Sequence, residues 1–126
     1  MSEDAGPAAE DSLRVTSDFW VSALVRRVFN AGGFAAVVNR GATEAGAIFV
    51  VHRSRDGTCR LYGPAAQTSY DESGPQDRQF ALFLEGDEEA VAARLDKERR
   101  FDPDLWVLEI EADEAAFADW LSLTKP

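Results

Sequence analysis

Gly46-Ala47-Ile48-Phe49-Val50-Val51-His52-Arg53, then Ser54-Arg55-Asp56-Gly57, then Thr58-Cys59-Arg60-Leu61-Tyr62, is the stretch that decides the fold. The first run is apolar at consecutive positions and rich in β-branched and aromatic residues. It reads as a strand buried on both faces, hence a central one. Ser54 to Gly57 closes a hairpin, with a glycine where a positive φ is wanted. Thr58 to Tyr62 is the return strand, stopped by Gly63-Pro64. If Arg53 pairs with Thr58, then His52 pairs with Cys59 on one face, and Arg53 and Arg60 lie diagonal to one another on the other.

Upstream, Thr16-Ser17-Asp18 offers an N-cap and an acid at the positive end of a helix. The run from Phe19 to Ala31 is apolar except at Ser22, Arg26, Arg27 and Asn30, which predicts a helix buried over most of its circumference, ended by Gly32-Gly33. A strand follows from Phe34 to Asn39, and Arg40 to Ala45 is a turn. Downstream, Phe80 to Leu84 reads as a fourth strand, although residues 78–86 also suit a helical turn. Asp87-Glu88-Glu89 opens a helix through Arg99, with Val91 and Leu95 inward. Phe101-Asp102-Pro103-Asp104 breaks it. Leu105 to Glu111 alternates, with Trp106, Leu108 and Ile110 inward and Glu109 and Glu111 outward. Asp113 caps a last helix carrying Phe117, Trp120 and Leu121.

The order α-β-β-β-β-α-β-α indicates an α+β fold. The expectation is a mainly antiparallel sheet of four to five strands, covered by helices on one face. The crossover through the second helix would set the last strand parallel to the fourth. Residues 1–15 are small, acidic and aperiodic and read as a disordered tail, leaving one domain over residues 16–123.

Composition narrows the classes of function. The 126 residues are 45% hydrophobic and carry a net charge of −10, enough for one packed core and too apolar for wholesale disorder. The acidic balance repels a phosphate backbone, so nucleic acid is not an expected partner. No run approaches the ~20 apolar residues of a membrane helix, and the acidic N-terminus is unlike a signal peptide. No membrane association is therefore expected, and a cytoplasmic location is. Cys59, the one cysteine, excludes an internal disulfide.

Few residues offer chemistry. No phosphate-binding glycine loop, zinc-protease helix motif or nucleophile elbow is present. A single histidine excludes sites that need two, and neither a metal nor a cofactor is expected. His52 beside Cys59 would make an activated thiol, although Ile48, Val50 and Leu61 on the same face favour Cys59 as a small core residue. Arg26, Arg27, Arg40, Arg53 and Arg60 are candidates for a cluster that grips a phosphate or carboxylate. Solvated ion pairs with the acidic C-terminal third are the plainer account of them. The turn from Arg40 to Gly46 has the glycines of an anion cradle or of an ordinary connection. Asp102 and Asp104 suit an acid/base pair or simple turn formation. The patternless stretch 63–77 is long for so small a domain, and such loops are often functional. Tyr70 within it, with Trp106 at the core edge, is a candidate partner interface.

Ser17-Asp18-Phe19-Trp20-Val21-Ser22-Ala23, Glu44-Ala45-Gly46-Ala47-Ile48-Phe49-Val50, Leu61-Tyr62-Gly63-Pro64 and Arg100-Phe101-Asp102-Pro103-Asp104-Leu105-Trp106-Val107 resemble a bacterial family of small uncharacterised proteins, the domain of unknown function 1491. The resemblance runs from about Ser17 to Glu111. It implies a compact cytoplasmic bacterial domain and brings no reaction, substrate or cofactor with it, so it assigns no catalytic residue. Three readings follow. The first is a non-catalytic interaction or adaptor domain with a protein partner, compatible with a homodimer. The second is a module binding an anionic metabolite or nucleotide through arginines. The third is a thiol enzyme using Cys59 and His52.

Overall fold

Why the Ile48–Arg53 strand sits where it does follows from its neighbours on both sides. The computed structural model describes residues 15–66 and 78–124. Its elements are α1 (Ser17–Asn30), β1 (Phe34–Asn39), β2 (Ile48–Arg53), β3 (Cys59–Pro64), β4 (Gln79–Gly86), α2 (Glu88–Phe101), β5 (Trp106–Glu111), α3 (Glu114–Trp120) and the short β6 (Ser122–Leu123). Within residues 78–86, the stretch Gln79–Gly86 thus forms a strand. The acidic tail expected over 1–15 lies, Val15 apart, outside the described residues. So does most of the stretch 63–77, with Tyr70.

The strands form one sheet in the order β1-β5-β2-β3-β4-β6. β1 is antiparallel to β5, β2 to β3 and β3 to β4, whereas β2 runs parallel to β5 and β4 to β6. The sheet is therefore mixed. β5 does run in the direction of β4, as expected of a crossover, but it inserts between β1 and β2 instead of lying beside β4. Its sequence explains this: Leu105 and Val107 are as buried as Trp106, Leu108 and Ile110, and a strand apolar on both faces belongs in mid-sheet.

The same double-sided character requires cover on both sides, and this corrects the expectation of helices on one face. Ile48, Val50, Tyr62, Trp106, Leu108 and Ile110 pack with Val21, Leu24 and Val28 of α1 and Phe117 and Trp120 of α3. Phe49, Val51, Cys59, Leu61 and Val107 pack on the other face with Val91 of α2 and, at its edge, Leu95. Each of these side chains contributes about 1.5–3 kcal/mol on burial, so neither face can be left to water.

α1 is more one-sided than its composition suggests. Val21, Leu24 and Val28 are buried, while Phe19, Arg26, Arg27 and Phe29 are exposed. Thr16 caps its start by accepting the Phe19 amide at 3.1 Å. Its end is a Schellman closure, in which the Gly33 amide reaches Val28 O (2.9 Å) and the Gly32 amide reaches Phe29 O (3.0 Å). Gly32 supplies the left-handed φ of +88° that this turn needs. The closure delivers the chain straight into β1.

The β2–β3 hairpin corrects the expected register. Gly57, at φ +91°, is a third loop residue after a tight turn in which its amide reaches Ser54 O at 3.1 Å, and the Ser54 amide reaches Thr58 O at 3.0 Å. A three-residue loop with a left-handed glycine bulges by one residue relative to the shorter turn. Arg53 consequently pairs with Cys59 and His52 with Arg60. A shift of one moves every side chain to the opposite face.

The turn from Arg40 to Gly46 is clamped against the segment before β5. The Ala42 amide donates to Asp104 O at 2.9 Å, and Trp106 Nε1 donates to Ala42 O at 2.8 Å. A Cβ on Gly41 would lie 2.2 Å from Asp104 O, whereas one on Gly57 would meet nothing within 4 Å. Gly41→Ala is therefore expected to lower the unfolding free energy by about 2–3 kcal/mol through overpacking against backbone. Gly57→Ala should cost only the left-handed φ, about 1–2 kcal/mol. Urea denaturation of both variants checks this, and a Gly41→Ala that is the milder of the two would contradict the clamp.

Candidate functional site

The residues singled out in the sequence are dispersed by the register. Cys59 is 1% exposed on the α2 side of the sheet, and burial pushes its thiol pKa up. His52 is buried on the opposite side, its Nε2 hydrogen-bonded to Ala112 O at 2.8 Å and its ring stacked on Phe117 at 4.0 Å between centroids. The sheet stands between thiol and imidazole, so His52 cannot take a proton from Cys59. Both are core residues.

The arginines separate in the same way. Arg53 lies on the α2 side, where it binds Glu88 in the first turn of α2 and Glu109 of β5, the latter at 3.1 Å. The hydrogen bond to Glu109 raises its pKa, against the effect of burial. Arg60 lies on the α1/α3 side and bridges Glu114 of α3 (2.9 Å) and Glu85 of β4 (3.3 Å). Burial opposes its charge, and Glu114 and Glu85 outweigh it, so its pKa is raised. Arg53 and Arg60 thus each staple a helix to the sheet from opposite faces. Arg40 pairs with Asp18 at 2.8 Å, lying over the Trp106 ring at 5.0 Å. Arg26 is exposed on α1, and Arg27 donates to Asp119 O at 3.4 Å. The structure brings no two of these five into one anion site.

The remaining candidates are absorbed into turns and core. Asp102 Oδ1 accepts the Asp104 amide at 3.1 Å, which is turn formation before β5. In the Arg40–Gly46 turn, the Ala42 amide is taken by Asp104 O and the Gly46 amide by Ala42 O, so those donors are not left to cradle an anion. Trp106 is 0% exposed and cannot present an interface. Tyr70 lies outside the described residues. Among the described residues, no group of three or more His, Cys, Asp or Glu is placed to hold a metal ion. None of the described helices is long and apolar enough to cross a membrane.

Two surface features were missed in the sequence. One is an open cleft of about 640 Å³ at the carboxyl ends of the parallel strands β2 and β5, lined in part by Gly32, Gly33, Arg53, Arg55, Glu111 and Asp113. Its lining carries both signs of charge, and Arg53 is already held by its two glutamates. The other is the outer edge of β1. Among the described residues no strand pairs with it. Phe34 (49% exposed), Val37 and Val38 (55%) stand along it, and Phe29 of α1 adds an exposed ring edge-on to Phe34 at 5.7 Å. None of the six residues of β1 is charged. An uncharged, apolar, unpaired edge is a template for another strand, and most proteins blunt such edges. The opposite margin is blunted: β6 covers Gln79 and Phe80, and the rest of β4 carries Glu85; β1 itself has a one-residue register shift at Val38. The signal available in the sequence was the uncharged Phe34–Asn39 run, which only an edge position makes unusual.

Two outcomes follow from this geometry. Cys59 in the folded protein is expected to resist a thiol reagent at neutral pH and to react once denaturant unfolds the chain, so rapid labelling without denaturant would contradict its burial. Asp56 accepts the Ser54 hydroxyl (2.5 Å) and the Thr58 amide (2.9 Å), which hold its carboxyl at about 2 instead of 3.8. The depressed value means the hairpin gains stability from Asp56 above pH 3.8 and loses it as pH falls through about 2. An NMR titration of the Asp56 carboxyl should give the low midpoint, and in Ser54→Ala the midpoint should move back up.

Comparison with known proteins agrees with this arrangement. The model of the protein family described as "Protein of unknown function (DUF1491)" matches residues 15–118. A protein of A. tumefaciens solved in solution is 52% identical, with a TM-score of 0.77 over 90% of this chain and 97% of that one. A crystal structure of a DUF1491 family protein from Caulobacter crescentus CB15 is 32% identical, with a TM-score of 0.71 over 88% and 98% of the two chains. An NMR structure of a DUF1491 family protein from the same organism gives 31% and 0.70 over 88% and 97%. No curated protein matches the chain. With a fold shared along nearly the whole length of these proteins, the chain belongs to the DUF1491 family.

Proposed function

We propose that this chain is a non-catalytic protein-interaction module that engages its partner along the outer edge of β1. The observation that carries the reading is the coincidence, on one six-residue strand, of an outer edge that no described strand pairs with and of exposed Phe34, Val37 and Val38. Strand addition to such an edge draws its strength from main-chain hydrogen bonds and its selectivity from alternate side chains. Phe29 and Phe34 supply the aromatic anchor that interfaces favour. The burial of Cys59, its separation from His52 and the carboxylate partners of Arg53 and Arg60 support this reading over a thiol enzyme or an arginine-based ligand module.

The test compares the wild-type chain with Val38→Lys in affinity capture from the native cytoplasm. A charge on an open edge is the device by which proteins discourage strand addition, and Val38 is exposed, so the variant should fold with a Tm close to wild type. Partner recovery is expected to fall by about tenfold or more, equivalent to roughly 1.4 kcal/mol. Undiminished recovery of the same partners by Val38→Lys contradicts the reading.

A further inference from the structure

Trp20, Ala23, Leu24 and Arg27 follow one another at the three- and four-residue spacing that places side chains on one stripe of a helix. That stripe of α1, with Arg78 just ahead of β4, Trp120 at the end of α3 and Ser122 of β6, lines a pocket of about 150 Å³. Among the described residues, its lining carries two arginines and no acid. The cleft at the ends of β2 and β5 differs, since Glu88, Glu111 and Asp113 share it with the arginines. So does the groove between α2 and the sheet, where Glu88, Asp96 and Glu109 stand. In a chain of net charge −10, a pocket whose lining has charge of the positive sign alone selects for an anion. We infer that it binds a phosphate group, as the free ion or in a monoester, through Arg27, Arg78 and Ser122. The site involves neither the β1 edge nor Arg53 and Arg60, so it goes beyond the interaction reading.

Each donor is positioned by the fold. Arg27 is exposed on α1 and donates to the main-chain Asp119 O of α3 at 3.4 Å. Among the described residues it has no carboxylate partner. Arg78 donates to Val15 O at 2.9 Å and lies over the Trp20 ring, 6.0 Å from its centroid. Trp20 is itself set against Phe80, with ring centroids 5.5 Å apart. Ser122 is fixed next to Arg78 because it pairs with Gln79, and the Thr124 amide secures β6 by donating to Phe80 O at 2.8 Å. The three donor-bearing side chains thus reach the pocket from α1, from the entry to β4 and from β6. A guanidinium presents its N–H groups in a rigid fork that matches phosphate oxygens, and a serine hydroxyl adds one more donor. Three such groups equal in number the three terminal oxygens of a phosphate monoester, whereas a carboxylate has two.

Size and charge set what enters. About 150 Å³ is below the roughly 300 Å³ at which pockets begin to enclose a drug-sized molecule. The pocket therefore takes the phosphate group and leaves the remainder of an ester outside. The net charge opposes the approach of any anion, yet at physiological ionic strength distant acids are screened beyond about 8 Å. A phosphate in the pocket meets the two guanidinium groups directly, and charge-assisted hydrogen bonds are the strong ones.

The experiment is an NMR titration of the full chain, slightly above neutral pH, with inorganic phosphate, glycerol phosphate and acetate, the ionic strength being held constant with chloride. The indole signals of Trp20 and Trp120 and the Ser122 amide are expected to shift saturably with inorganic phosphate, half-way at on the order of 1 mM. The indole of Trp106, bonded to Ala42 O at 2.8 Å and outside the lining, is expected to stay in place. Arg27→Gln and Arg78→Gln should each weaken binding by about tenfold, and Ser122→Ala by roughly threefold. The Tm of each variant separates loss of the site from loss of the fold. Arg27 is exposed, so Arg27→Gln remains decisive should Arg78→Gln melt early. Saturation by both phosphate probes supports a monoester ligand, and saturation by inorganic phosphate alone supports the free ion. Failure to saturate at about twenty times the expected half-point overturns the inference. So does acetate binding as tightly as phosphate, or a titration unchanged in Arg27→Gln. None of these outcomes bears on the β1 edge, which the capture comparison with Val38→Lys tests separately.

Discussion

Everything in this structure follows from a sheet centre that is apolar on both sides. Ile48, Phe49, Val50 and Val51 are all buried and point alternately to opposite faces, as do Leu105 to Leu108 beside them. A sheet with such a centre needs two covers, and the chain supplies them by passing α2 across one face between β4 and β5 and α3 across the other between β5 and β6. The arginines then act as staples. Arg53 ties the first turn of α2 to β5, and Arg60 ties α3 to β4. These partly exposed pairs are worth roughly 1 kcal/mol each, small beside the core. Their part is to fix where each helix begins on the sheet. Once they are engaged in this way, the charge that looked available for a ligand is spent within the fold.

Much of the architecture was legible in the sequence because its signals are local. Thr16 before an apolar run, Gly32-Gly33 after it, Asp87 and Asp113 as caps, and Pro103 as a break all mark the element boundaries, and the structure uses Thr16, Asp87 and Asp113 as its helix caps. Likewise the β-branched run of β2 fixed its central place. What the sequence did not display was the consequence of a single extra loop residue. Gly57 reads equally well in a two-residue or three-residue connection, and the choice decides whether His52 meets Cys59 or Arg60. The proposed thiol site and the proposed arginine pair both depended on that choice. Strand order was illegible for a related reason: the insertion of β5 between β1 and β2 depends on packing between residues 58 to 77 positions apart, and no local pattern encodes it. Trp106 illustrates the point, since alternation predicted it inward and the clamp with Ala42 buries it completely.

The β1 edge was hidden by the same non-locality. Phe34 to Asn39 reads as an ordinary half-buried strand, and exposed Val and Phe residues are unremarkable singly. They acquire meaning only when β5 is seen to take the inner side of β1 and nothing described takes the outer. Two rings, two valines and a strand edge that no described strand pairs with then share one margin of the molecule, while the opposite margin is interrupted by β6 and Glu85. The interaction proposed for this fold accordingly uses its rim.

Amide hydrogen exchange followed residue by residue as a function of protein concentration tests that claim most directly. The account predicts that amides of β1 pointing away from β5 exchange rapidly in dilute solution and become protected when a partner is added, while β2 and β5 stay protected throughout. Protection of those outward amides at every concentration, however dilute, would mean that the chain covers its own edge, and would contradict the account.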